Sequence, residues 1–60
     1  MTIYKNNKNG KLYCYLNIVI NCTNDYDGQV MILYEREDMQ FVREFNEFHD
    51  KFTLVSDDEK

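Results

Sequence analysis

Leu12-Tyr13-Cys14-Tyr15-Leu16-Asn17-Ile18-Val19-Ile20-Asn21 is the stretch that decides the fold. Its even positions are Leu12, Cys14, Leu16, Ile18 and Ile20; its odd positions are Tyr13, Tyr15, Asn17, Val19 and Asn21. A period of two with one wholly apolar side describes a strand buried on one face. This alternation predicts that the even side turns inward, Cys14 packing as a small reduced hydrophobe, and that Tyr13 and Tyr15 face out.

Upstream, Asn9-Gly10 suits the two-residue type I′ turn of a hairpin. That turn predicts a first strand over about residues 2–8, with Lys8 opposite Lys11, Tyr4 opposite Tyr15 and Ile3 opposite Leu16. Downstream, the Asn-, Asp- and Gly-rich run Cys22–Gly28 reads as a turn before a third strand, Gln29 to Arg36. Here Val30, Ile32 and Tyr34 point one way, Met31 and Leu33 the other, so both sides are apolar. A short chain has little with which to cover a second face, and a homo-oligomer is expected.

Glu35-Arg36-Glu37-Asp38 reads as a charged turn and Met39–Arg43 as a fourth strand. Phe45, Phe48 and Phe52 recur at spacings of three and four, which places their rings on one side of a short helical turn that plugs the core. Phe52 to Val55 supplies a last strand, and residues 56–60 an acidic flexible tail. The expected fold is mainly β: a small five-stranded SH3-like β-barrel over residues 1–55, with one short helical turn near the C-terminus.

Composition narrows the function. Sixty residues make one small domain with a shallow core and no cleft for a buried cofactor, so none is expected. The longest apolar run, Ile18-Val19-Ile20, is far short of a bilayer span, and Met1–Lys5 has no export signal. A cytoplasmic protein with reduced thiols is expected, without membrane contact. The net charge is −4, unevenly spread. Residues 1–20 carry Lys5, Lys8 and Lys11 and no acid, whereas residues 21–60 set four basic side chains against eleven acidic ones, a balance of −7. That field disfavours duplex nucleic acid.

Chemistry finds little material. Cys14 and Cys22 are eight apart and His49 is the sole histidine, so no zinc spacing exists. Gly10 and Gly28 stand alone in turns rather than in a phosphate loop, and the glutamates fit a charged turn and a solvated helix face. A Cys22–His49 pair reads more simply as an idle thiol and a surface imidazole. A non-enzyme is expected. Tyrosines outside the core, flanked by lysines, would instead form an adhesive patch.

Tyr4-Lys5 with Gly10-Lys11-Leu12-Tyr13, Val30-Met31-Ile32-Leu33-Tyr34 and Phe41-Val42-Arg43-Glu44 with Phe48 resembles a family of short bacterial and phage proteins, a domain of unknown function. The resemblance spans about residues 3–55 and rests on aromatic and aliphatic positions. Family members often carry Pro after Val-Arg, where this chain has Glu44. The resemblance brings no catalytic residues. It implies a phage or prophage gene whose product binds, and inhibits or redirects, a host protein in the bacterial cytoplasm. The candidate partner-binding residues are Tyr4, Tyr13, Tyr15, Tyr34, Arg36 and Arg43. The alternatives are a nucleotide or single-stranded nucleic-acid binder that stacks bases on tyrosines, and a purely structural self-associating protein.

Overall fold

A computed structural model describes residues 1–22 and 28–57. Five antiparallel strands, β1 (Thr2–Asn6), β2 (Leu12–Asn21), β3 (Gln29–Arg36), β4 (Met39–Glu44) and β5 (Phe52–Asp57), form one sheet in the order β4-β3-β2-β1-β5. One helix, α1 (Phe45–Lys51), links β4 to β5. The mainly-β architecture and the element order follow the sequence expectation. The sheet is open, with β4 and β5 at opposite edges, so closure into a barrel is not seen among the described residues. β5 continues through Ser56 and Asp57, where a tail was expected; Asp57 Oδ1 accepts a hydrogen bond from Thr2 Oγ1 at 3.0 Å. Most of the Cys22–Gly28 turn lies outside the described residues.

The two hairpin turns exchange their expected roles. Asn9-Gly10 is not a two-residue loop: Tyr4 pairs with Tyr13 and Ile3 with Cys14, which leaves four residues between Asn6 and Lys11. Asn6 organises that loop, its Oδ1 accepting from the backbone N–H of Lys8 and Asn9 and its carbonyl from Gly10 N–H. Asn7 then ties the loop to the rest of the fold. Its N–H donates to the Lys51 carbonyl at 2.9 Å, and its Oδ1 accepts from Thr53 Oγ1 at 2.6 Å. These bonds between elements favour the longer loop over the tighter turn. The two-residue loop lies instead at Glu37-Asp38, between the paired Arg36 and Met39, with φ of +52° and +66°. Both residues occupy the left-handed region that a type I′ turn requires, which Asn and Gly adopt more readily than Glu and Asp.

The core lies on one face of the sheet, beneath α1. Glu44 opens the helix by accepting from Glu47 N–H at 2.9 Å, an N-cap contact. The cap turns Phe48 onto the sheet. Its ring is fully buried and packs within 5.0 Å of Tyr4, 5.1 Å of Tyr34 and 4.3 Å of Phe52, stacking face to face on the last. Phe48 and Phe52 thus fill the core roles that their spacing implied.

The inward side of β2 is corrected. Tyr13 and Tyr15 turn to the helix-bearing face and pack on the core, while Leu12 is 52% exposed and Leu16 38%. Cys14, opposite Ile3, lies on the other face. The cause is volume: rings lock against Phe48 and Phe52, and a leucine there would leave the helix without partners of matching size. Past Leu16 the parity reverses, because a bulge lies between the Tyr15–Tyr34 and Asn17–Leu33 pairs. Ile18 pairs with the buried Ile32, and Ile20 with Val30, so these two isoleucines do face the expected side. They extend past the helix and stay exposed at 47% and 56%.

Two stability measurements check these assignments by chemical denaturation. Phe48→Ala should cost about 3–5 kcal/mol, enough to unfold a domain of this size. Glu37→Asn with Asp38→Gly should stabilise by about 1 kcal/mol, since relief of left-handed strain outweighs the added freedom of the unfolded glycine.

Candidate partner-binding surface

The six residues expected to bind a partner do converge, but as structure. Tyr34 is buried, its ring 5.2 Å from Phe52 and 5.5 Å from Phe41. Tyr13 meets Tyr34 and Phe52 edge to face, both at 5.5 Å, and Tyr4 stacks on Tyr15 at 5.5 Å. A slip of two residues in the hairpin makes that last contact diagonal rather than directly opposite, without changing which face either ring occupies.

The arginines seal this cluster. Arg43 Nε donates to the Tyr34 hydroxyl at 3.3 Å, and the guanidinium lies 5.8 Å from the Phe52 ring centroid and 3.6 Å from Glu47. The Tyr34 hydrogen bond, aided by the nearby Glu47 charge, raises the Arg43 pKa against the opposing effect of burial. A pKa raised on folding stabilises fully below the unfolded value and loses its effect only as pH climbs through the folded one. For arginine both lie far above neutrality, so the lock on Tyr34 holds throughout the physiological range. Arg36 pairs with Glu37 and lies over the Tyr13 ring at 5.9 Å. Both arginines therefore have carboxylate partners and cover aromatic faces.

What the molecule presents instead is aliphatic. Leu16, Ile18, Ile20 and Val30 form an exposed lip where β2 and β3 extend past α1. Beside it runs an open groove of about 350 Å³, lined by Tyr4, Tyr15, Leu16 and Ile18 together with the polar Thr2, Asn17 and Asp57. Tyr4 and Tyr15 thus keep an edge in a recess, though not the flat patch expected of them. The bulge creates this lip. Its sequence trace is Asn17, a polar residue inside an apolar run whose Oδ1 accepts from Ile18 N–H at 2.8 Å.

A second concavity, about 480 Å³, gathers Lys8 from the hairpin loop, Arg43 from β4 and Lys51 from the end of α1 around Asn6 and Asn7, with Asp50 on its rim. Its lining has a positive balance in an acidic chain but holds no tyrosine; Tyr34 is buried, and Tyr4, Tyr13 and Tyr15 pack half-buried against the core. Among the described residues no three of His, Cys, Asp and Glu gather to hold a metal ion, and no helix is long and apolar enough to cross a membrane. No protein-family model, curated protein or solved structure matches the chain.

The core role of the tyrosines has a direct check. Tyr13→Ala with Tyr15→Ala should abolish the cooperative melting transition seen by circular dichroism. A folded double variant would return these rings to the surface.

Proposed function

We propose that this chain is a non-catalytic binding module whose contact surface is the lip of Leu16, Ile18, Ile20 and Val30 with the adjoining Tyr4–Tyr15 groove. The observation that carries it is the distribution of apolar side chains: among the described residues ten large hydrophobics are exposed and four are buried. A chain so short of core would gain from turning these leucines and isoleucines inward, and their continuity beyond the helix fits a contact site. The groove suits a partner that inserts an apolar side chain between Ile18 and the tyrosine edges.

The partner class is a protein, and the family resemblance suggests a bacterial host protein bound by a phage or prophage product. The order of four strands, a helical segment and a fifth strand beside the first supports an SH3-like scaffold in open form. Base stacking is the weaker alternative, because its rings are engaged with one another in the core.

Lip and core can be separated by experiment. Exposed positions tolerate substitution with little change in stability, so Ile18→Asp with Ile20→Asp should leave the melting temperature nearly unchanged. The same variant should lower retention of the bound host protein from bacterial lysate by about tenfold or more. Leu12→Asp, on the opposite face, should retain it like the unaltered chain. Equal retention by a folded Ile18/Ile20 variant would rule out the lip.

A further inference from the structure

We infer that the helix-free face of the sheet is the docking surface for a second copy of this chain, packed sheet against sheet. Register sets Ile3 beside Cys14, Val19 beside Met31 and Leu33 beside Val42 on this face. The helix packs its buried Phe48 against the tyrosine side, and among the described residues no element covers the other. An antiparallel sheet with one face in water normally alternates apolar with polar, whereas β3 turns Met31 and Leu33 outward and Val30, Ile32 and Tyr34 inward. The same register also places Asn17, Asn21, Gln29 and Gln40 there, so Ile3, Cys14, Val19, Met31, Leu33 and Val42 form apolar ground crossed by amides, which a second layer can cover.

Charge points to the same chain as the occupant. The chain is 30% charged with a net −4, yet Lys5 and Glu35 are the charged residues that register places on this face, apart from Glu44, whose carboxylate turns away to cap α1. Two acidic molecules meet there at the least electrostatic cost. Lys5 on β1 and Glu35 on β3 flank β2 on opposite sides. A two-fold axis along β2 would therefore direct each Lys5 toward the Glu35 of the other copy, and lay Leu12 and Cys14 along the axis.

Size and supply agree. Strands about 4.8 Å apart, rising about 3.3 Å per residue, give the β4-to-β1 face about 400 Å² in flat projection. Two corrugated faces of that extent remove roughly the 1,000 Å² that a specific interface needs. A face whose cover stabilises the fold needs an occupant present at equal stoichiometry from synthesis onward, which another copy supplies.

Sedimentation equilibrium on the full chain should give twice the 7.3 kDa chain mass, and the melting temperature should rise with protein concentration over about a hundredfold range. Leu12→Asp should halve the mass with an unchanged circular dichroism spectrum, while Ile18→Asp should still sediment as a pair. In a Cys22→Ser background, a short bis-maleimide should link Cys14 to Cys14, a readout that stands even if Leu12→Asp fails to fold. A single-chain mass across the whole range would overturn the proposal. So would a folded Leu12→Asp that remains paired, a pair that Ile18→Asp dissociates, or the lack of Cys14 linkage in a sample that sediments as two chains. Because the lip lies on the opposite face, loss of host-protein retention and loss of pairing fail independently.

Discussion

The packing of Phe48 onto rings supplied by four strands is the contact on which the rest of the structure depends. Its ring reaches Tyr4 on β1, Tyr15 on β2, Tyr34 on β3 and Phe52 at the start of β5. One side chain on a seven-residue helix therefore ties four strands together. Rings suit this task in a chain with so little interior, since each brings a large buried area at the cost of ordering few torsions. The hydroxyls need not be buried without partners: Tyr34 accepts from Arg43, which in turn covers Phe52. Charge thereby reaches the edge of the core without an unpaired polar group inside it; among the described residues no buried side-chain nitrogen or oxygen lacks a hydrogen-bond partner.

The turns show how contacts between elements override local preference. Asn9-Gly10 has the composition of a tight hairpin, yet Asn6 and Asn7 draw the chain into a wider loop with bonds to its own backbone, to Lys51 and to Thr53. Gly10 is still used for its conformational freedom, at φ +73°, but as the last residue of that loop. At Glu37-Asp38 the β3–β4 pairing leaves only two residues to reverse direction, and two residues that disfavour positive φ adopt it. The loop at Asn7 contributes to the cationic recess and the β2 bulge to the groove, so irregularities of the backbone shape both concavities.

Element order was legible because its signals are local. The two-sided apolar pattern of β3, the spacing of Phe45, Phe48 and Phe52 and the turn-rich runs between strands each mark one element without reference to the others. The facing of β2 was not legible, for two physical reasons. Leu12, Cys14 and Leu16 are as apolar as Tyr13 and Tyr15, so alternation alone leaves the inward side to be settled by size, and size matters only once Phe48 and Phe52 are overhead. The bulge at Leu16 then reverses parity partway along, which no fixed period of two can represent. The tyrosines of the predicted contact surface therefore lie in or against the core, while Leu16, Ile18 and Ile20, assigned to the core, are exposed along the lip and Leu12 is exposed on the opposite face.

That inversion carries a consequence for how so small a protein stays folded. With a core of four buried side chains, three of them aromatic, among the described residues, much of its aliphatic content is left on the two faces of the sheet. The β4 edge adds to this exposure, having no Pro, no Lys and no bulge to discourage another strand. β5 differs, since a shift in its register with β1 between Ile3 and Tyr4 distorts the opposite edge. Selection for stability alone would favour polar side chains at Met31, Leu33 and Val42, whose burial a single chain does not complete. The proposed second copy would cover them without any change to the aromatic lock beneath α1. The aliphatic lip, on the other side of the sheet, then stays open in the pair, so one short chain can devote one face to assembly and the other to recognition.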